Sequence, residues 1–353
     1  MYAMRNPVRR HDWGSVDDIP ALLGVPPDGR PQAELWLGAF EEESSCVEVD
    51  GGERLLSDLL SGPGQERLPF LAKVLAIGSP LSLQIHPAGD EAKPEMLYAL
   101  EPCRALCGFA PVDEVRSLLT ALAVEELAVV ENCLGADQES VRAALGELLR
   151  LRSHRDVRPV VDQALHQLRE RPAGGPVAEA IASLAEQHGD DPAALSPLLL
   201  NVVELGEGDA FYCAPGTPHT YLSGVGFEVQ ASSDAVVRAG LTGKDVDVDA
   251  FVRDLVVQAG VVRVPAELRG DERVLQPAGV DFALGITGRS AGELAAVAGP
   301  QILLCTRGTF TLRAGEASLR LRRGDSAFVP AGGPPLRALG SGVLLRVTAG
   351  RAG

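Results

Sequence analysis

The sequence predicts a mainly β protein with an α-helical insert, built as two similar β barrels plus a helical domain. Three observations predict it. Short apolar runs bounded by Gly, Pro and Asp fill residues 1–110 and return after 197. The stretch between them is rich in Ala, Leu, Glu and Arg at helical spacing. A strand, a Gly-Asp turn, a second strand and a proline corner occur twice, in "LGEGDAFYCAPGTPHTYL" and again in "LRRGDSAFVPAGGPPLRA".

Taken in order, "AELWLGAF", "CVEVD", "LPFLAKVLAIG" and "LSLQIHP" read as strands, and "LLSDLLSG" as a short helix. "DEVRSLLTALAV", "ESVRAALGELLRLR", "RPVVDQALHQLRER" and "PVAEAIASLAEQHG" place apolar residues three and four apart and read as helices. After the first Gly-Asp copy, "DVDAFVRDLVVQ" reads as another helix. That copy resembles the cupin motif of small jelly-roll barrels whose histidines face inward to a metal. The second copy has Leu336 or a neighbour where the first has His219, so its barrel is expected to hold no metal. The expected division is a catalytic barrel domain over 1–110 and 197–258, a helical insert over 111–196, and a C-terminal barrel over 259–353 without a metal site.

The composition limits the function classes. A net charge of −16 argues against nucleic-acid binding and against attachment to anionic lipid, since both need basic patches. An apolar fraction of 46% supports a sizeable core. The six cysteines form neither a disulfide framework nor a zinc-finger spacing, and buried thiols are expected. "MYAMRNPVRRHDWG" has no signal-peptide core, and no run reaches the ~18 apolar residues of a membrane span, so a cytoplasmic chain is expected.

The chemistry-bearing residues lie on the β segments. Gln84 and His86 are two apart on a predicted strand and share a face. Pro87 ends that strand and Glu95 follows on a loop. His219 comes from the proline corner. Two imidazole nitrogens, a carboxylate and an amide oxygen suit Zn²⁺ with one position left for water or substrate. Each histidine taken alone also reads as an ordinary packed imidazole; the pair together favours a metal. His154, His166 and His188 share no ligand spacing.

"LSLQIHP", "KPEM", "CRALCGF", "APGTPHTYLSG" and "SDAVVRAGLTGKDVD", with "DWGS", "AELWLG" and "LPFLAKVL" upstream, resemble the type I phosphomannose isomerases. The motifs run in family order over residues 5–250, and the C-terminal barrel matches in texture only. The resemblance implies one zinc ion per chain, held by Gln84, His86, Glu95 and His219. It implies mannose 6-phosphate and fructose 6-phosphate as substrates, interconverted through a cis-enediol. It places Arg238, Lys93 and Glu228 among the catalytic residues and Lys73, Ser82, Asp234 and Lys244 along the substrate. The only partner expected is the sugar phosphate, with no nucleic acid, no membrane and a monomeric chain. Arg238, Lys244 and Ser82 suit a phosphate, and Lys93 or Glu228 suits proton transfer.

Plainer roles compete. Arg238 and Lys244 also read as solvated charges, Glu228 as an outward strand residue and Asp234 as a turn cap. Trp13 and Trp36 read as core aromatics. The chain departs from the family pattern at three places. Only nine residues separate His86 from Glu95, where a longer excursion is usual. Ala92 stands in place of a histidine before Lys93, and Gly243 in place of a proline before Lys244. Ala92 and the shortened interval support a second reading, a bicupin that binds sugar phosphates without turnover; a third is a metal-dependent bicupin oxygenase, although such sites prefer three histidines and a glutamate where this chain has Gln84.

Overall fold

The computed structural model describes residues 1–353 apart from 41–42, 50, 62–67, 90–91, 152–155, 172–174, 259 and 350–353, and it describes 290–291 by backbone only. Among the described residues, two antiparallel sheets of eleven and ten strands carry the fold. The long strand His219–Ala231 organises the first. Its C-terminal half lies between Phe70–Ile77 and Glu95–Ala99. Its N-terminal half pairs with Cys103–Phe109 and, at His219, with Leu83–Ile85. Gly224 sits where the two halves meet, at φ +110°, and a Cβ there would lie 2.3 Å from the Pro102 carbonyl oxygen. Only glycine lets the strand turn so close to its neighbour.

Period-two alternation explains what each strand buries. Phe70, Ala72, Val74 and Ala76 face a core shared with the second sheet, where they meet Phe282, Leu284, Ile302 and Leu345. Leu75 and Ile77 face a separate core inside the first sheet, and Lys73 shares their side. In Glu95–Ala99, Met96 and Tyr98 join the shared core, while Leu97 and Ala99 line the interior with Glu95. Phe227 and Val229 face the shared core, which turns Glu228 inward. "FLAKVLAI" is buried at every position, so its one cation is placed by the apolar residues around it.

The helices follow the expected periodicity. Val112–Leu122, Gln138–Arg150, Arg158–Arg169 and Gly175–His188 bury stripes such as Val141, Leu145 and Leu148. Asp137 caps the second of them by accepting the Ser140 N–H at 2.9 Å. The helical core also takes in Leu83 and Ile85. Helices therefore cover one side of that strand, and Gln84 faces the other way.

Several expectations are corrected. Glu95 is the first residue of a strand, because Pro94 ends the loop and leaves the Cα pairing with Cys213 and Gln230 intact. The strand holding Gln84 spans only Leu83–Ile85, with Ser82 just before it. Helices at Asp18–Leu23 and Ala128–Cys133 and a 3₁₀ segment at Pro192–Leu198 were not anticipated. Tyr2–Arg5, Cys46–Val49 and Gly52–Leu55 join the second sheet through the contact of Tyr2–Arg5 with Ser326–Val329. All six cysteines are free, and four are buried. Among the described residues, no helix is long and apolar enough to cross a membrane.

Candidate metal centre and cavity

Three neighbouring strands set one row of side chains. Arg238 pairs with Gln84, and Gln84 pairs with His219. Residues directly opposite in an antiparallel ladder point to the same face, so an amide and an imidazole lie beside a guanidinium. His86 and Glu95 complete the cluster. His86 Nε2 is 3.0 Å from Glu95 Oε2, and His219 Nε2 is 3.1 Å from Glu95 Oε1. The ligand-type atoms of His86, Glu95 and His219 all lie within 4.8 Å of one another, and all three residues are buried. Gln84 Nε2 is 3.3 Å from His219 Nε2.

The tautomers follow from the partners. His86 Nδ1 faces the Ala235 carbonyl at 2.8 Å and His219 Nδ1 faces the Thr217 carbonyl at 2.9 Å. A carbonyl only accepts, so each Nδ1 carries the hydrogen and each Nε2 turns a lone pair toward Glu95. Two lone pairs and a carboxylate facing each other in a dry pocket call for a cation between them. The Ser82 hydroxyl lies 3.0 Å from Gln84 Oε1, and a hydroxyl donates or accepts, so Gln84 can present its oxygen to the cluster. The N/O donor set fits Zn²⁺.

Electrostatics favour an ionised Glu95 and a neutral His86. Burial alone disfavours charge on Glu95, yet His86, His219 and Lys93 hold its carboxyl well below the usual range. Burial pulls the His86 imidazole down. Burial opposes charge on His219 as well, but Glu95 outweighs it and raises that imidazole. Lys93 Nζ lies 3.5 Å from His86 Nε2 and 3.6 Å from Glu95 Oε2.

The family description "Phosphomannose isomerase type I, catalytic domain" matches residues 1–112. Mannose-6-phosphate isomerase of Salmonella typhimurium is 32% identical over 98% of this chain and 99% of its own length. The chain belongs to the mannose-6-phosphate isomerase family. The enzyme of Schizosaccharomyces pombe is 30% identical over 88% of this chain and 89% of its own. A zinc-bound holo structure of mannose 6-phosphate isomerase superimposes with a TM-score of 0.85 at 30% identity, covering 99% of both chains. An arginine-to-alanine mutant of phosphomannose isomerase from Salmonella typhimurium gives 0.86 at 30% identity over 99% of this chain and 100% of that one.

In this member of the mannose-6-phosphate isomerase family, a cavity of about 740 Å³ opens over the cluster, a size suited to a small ligand. Lys73, Ser82, Gln84, His86, Lys93, Glu228, Asp234, Arg238 and Lys244 line it. Glu95 and His219 are buried deeper in the same cluster. Arg238 and Glu228 lie in the cavity wall, against their plainer readings as a solvated charge and an outward strand residue, while Lys244 sits exposed at the rim.

Sequence reasoning missed Tyr221. Its hydroxyl donates to Glu95 Oε1 at 2.8 Å and lies 3.3 Å from Glu228 Oε1, linking the metal cluster to a second carboxylate. The signal was present, because "HTY" puts Tyr221 two residues beyond His219 on one strand. Glu228 Oε2 is 3.4 Å from Lys73 Nζ, and that ammonium sits 4.6 Å from the centre of the Trp36 ring. Trp36 Nε1 donates to Glu34 Oε2 at 2.6 Å. Burial, then Glu95, pushes the Glu228 carboxyl up, and Lys73 opposes that shift. His11, Trp13, Glu34 and His188 also line the cavity, brought there by distant segments. His154 lies outside the described residues, as do Asp90 and Glu91 within the shortened Pro87–Ala92 interval.

Proposed function

We propose that this chain interconverts mannose 6-phosphate and fructose 6-phosphate, using one zinc ion held by Gln84, His86, Glu95 and His219. The observation that carries the proposal is the convergence of these N/O donors beneath a cavity with Arg238 and Lys244 on its wall, in a chain of this family. A bound zinc ion supplies Lewis-acid polarisation of the C1 and C2 oxygens. The remaining work falls to side chains. Arg238 offers a planar fork to the phosphate, with Lys244 and Ser82 beside it. Glu228 moves the proton between C1 and C2: it faces the cavity, burial pushes its carboxyl up, and Lys73 and Tyr221 fix its orientation. Lys93, beside His86 and Glu95, reaches the same substrate oxygens. Asp234 lies on the substrate's path.

Separate apolar cores support reading the chain as a cupin-like catalytic barrel, a helical insert over 111–196 and a C-terminal cupin-like barrel from 259. A pairing of the first strand with the second sheet ties the two barrels together. A complete donor set argues against a binder that has lost turnover, and family membership argues against an oxygenase.

A coupled assay on the zinc-loaded chain tests the proposal. Turnover of mannose 6-phosphate to fructose 6-phosphate is expected, with loss on chelation and recovery on adding zinc. No turnover by the zinc-loaded chain would refute it.

A further inference from the structure

The turn that follows Arg238 is backbone-strained and is held from outside the barrel. Leu241 has φ +58°, one of two non-glycine residues with positive φ among the described residues. A β-carbon makes that conformation costly, so surrounding structure must impose it. Leu241 is 2% exposed and lines the cavity. Its N–H donates to Asp191 Oδ2 at 2.9 Å. Asp191 Oδ1 accepts the Ala193 N–H at 3.0 Å, so one buried carboxylate joins the start of the Pro192–Leu198 segment to the strained turn. An N-cap needs only one oxygen. The second is committed to a chain segment fifty residues away.

Packing around the contact is equally specific. A Cβ on Gly240 would lie 2.6 Å from the Ala193 Cβ and 2.8 Å from Asp191 Oδ1. Glycine is what lets the strand reach the carboxylate. On the other side, the Asp247 N–H donates to the Arg238 carbonyl at 3.0 Å. The segment bearing Arg238 and Lys244 is thus pinned at both ends, once by its own continuation and once by Asp191.

We propose that Asp191 is a positioning residue for the substrate's phosphate: by holding Leu241 in its left-handed turn, it aims Arg238 and Lys244 into the cavity. The inference rests on the isomerase reading above for the identity of the substrate. Asp191 touches no substrate and acts through the backbone.

The test compares Asp191→Ala and Asp191→Asn with Asp137→Ala, which removes a helix cap elsewhere in the chain. Asparagine keeps the shape but offers one acceptor to two N–H donors. In the zinc-loaded full chain, either Asp191 variant is expected to raise KM for mannose 6-phosphate about tenfold or more, with a smaller change in kcat. Its calorimetric affinity for mannose 6-phosphate falls in parallel. Hydrogen exchange of the peptide spanning 239–245 accelerates, and zinc content stays the same. Asp137→Ala lowers the melting temperature without these effects. Unchanged KM and affinity in a folded Asp191 variant would overturn the proposal, whether or not exchange accelerates. Should the wild-type chain bind mannose 6-phosphate without converting it, the isomerase reading falls, while the affinity and exchange comparison still decides the role of Asp191.

Discussion

The two Gly-Asp copies build the same backbone device and spend it differently. In the first, the Gly206 N–H donates to Asp209 Oδ2 at 3.0 Å; in the second, the Arg322 N–H donates to Asp325 Oδ2 at 2.8 Å. A strand follows each turn, and a long strand then starts at His219 in one and at Leu336 in the other. His219 enters a cluster of buried ionisable groups. Leu336 enters an apolar core with Leu294, Phe310 and Leu344. The second sheet also buries a charge pair, Arg346 with Glu272, 3.0 Å apart. That pair is one cation with one carboxylate, whereas the first sheet gathers several ionisable groups around two histidines. Burying His86, Lys93, Glu95 and Glu228 together is costly, and that cost is concentrated where a reaction can use it.

Removing a donor gives the largest effect. His219→Ala is expected to lower zinc affinity by at least about 100-fold, the upper range for a residue that merely supports a ligand, and to abolish turnover. Metal analysis after dialysis and the coupled assay check both. A variant that keeps zinc and full activity would remove His219 from the donor set. Imidazoles must be neutral to bind the metal, so wild-type zinc affinity should fall as pH drops through the histidine range.

Much of this contrast was legible in the sequence, and the reason is periodicity. Alternation placed Gln84 with His86 and isolated Lys73 in an apolar run, and the second copy's missing histidine marked where the two copies differ. What stayed hidden was non-local. Glu34, His11 and Trp13 reach the cavity only because the N-terminal segment wraps against Phe70–Ile77. Glu95 was placed on a loop because Pro94 masked the start of its strand. Tyr221 shares a strand with His219, but its hydroxyl's contact with Glu95 spans 126 residues of sequence. The partnership of Asp191 with Leu241 depends on a hydrogen bond across fifty residues, which no local pattern encodes.

The next effect separates holding the metal from moving the proton. Glu228→Gln should reduce kcat by about 10²–10⁴-fold while zinc content stays at the wild-type level. Tyr221→Phe, which removes the hydroxyl between Glu95 and Glu228, should cost about 10–100-fold. A Glu228→Gln variant with near-normal kcat would return the proton-transfer role to Lys93.

In the second sheet the same kind of substitution should touch stability alone. Arg346 donates to Glu272, to the Gln301 side chain at 2.8 Å and to the Ala295 carbonyl at 2.7 Å. Burial pushes the Glu272 carboxyl up and the Arg346 guanidinium down, and their mutual attraction opposes both shifts. Glu272→Ala leaves a buried cation without its partner and should destabilise the fold by about 3–5 kcal/mol. Leu336→Ala should cost about 2–5 kcal/mol through the cavity it leaves. Denaturant titration measures both, and KM and zinc content should not change in the folded protein. A loss of zinc in either variant would mean that the second sheet supports the metal site directly.

The smallest effect tests what joins the two sheets. Arg307 of the second contacts Glu207, in the Gly-Asp turn of the first, at 3.0 Å, with side chains 64% and 54% exposed. An exposed pair of this kind contributes at most about 1 kcal/mol and less in high salt. The shared core acts across the same boundary without such screening: each fully buried Phe or Leu, such as Phe70, Phe282 and Leu345, contributes about 1.5–3 kcal/mol relative to exposure. Arg307→Ala should therefore change the unfolding free energy by less than about 1 kcal/mol and keep a single cooperative transition. Two resolved transitions in this variant would show that the ion pair, rather than the apolar faces of the two sheets, makes them unfold as one.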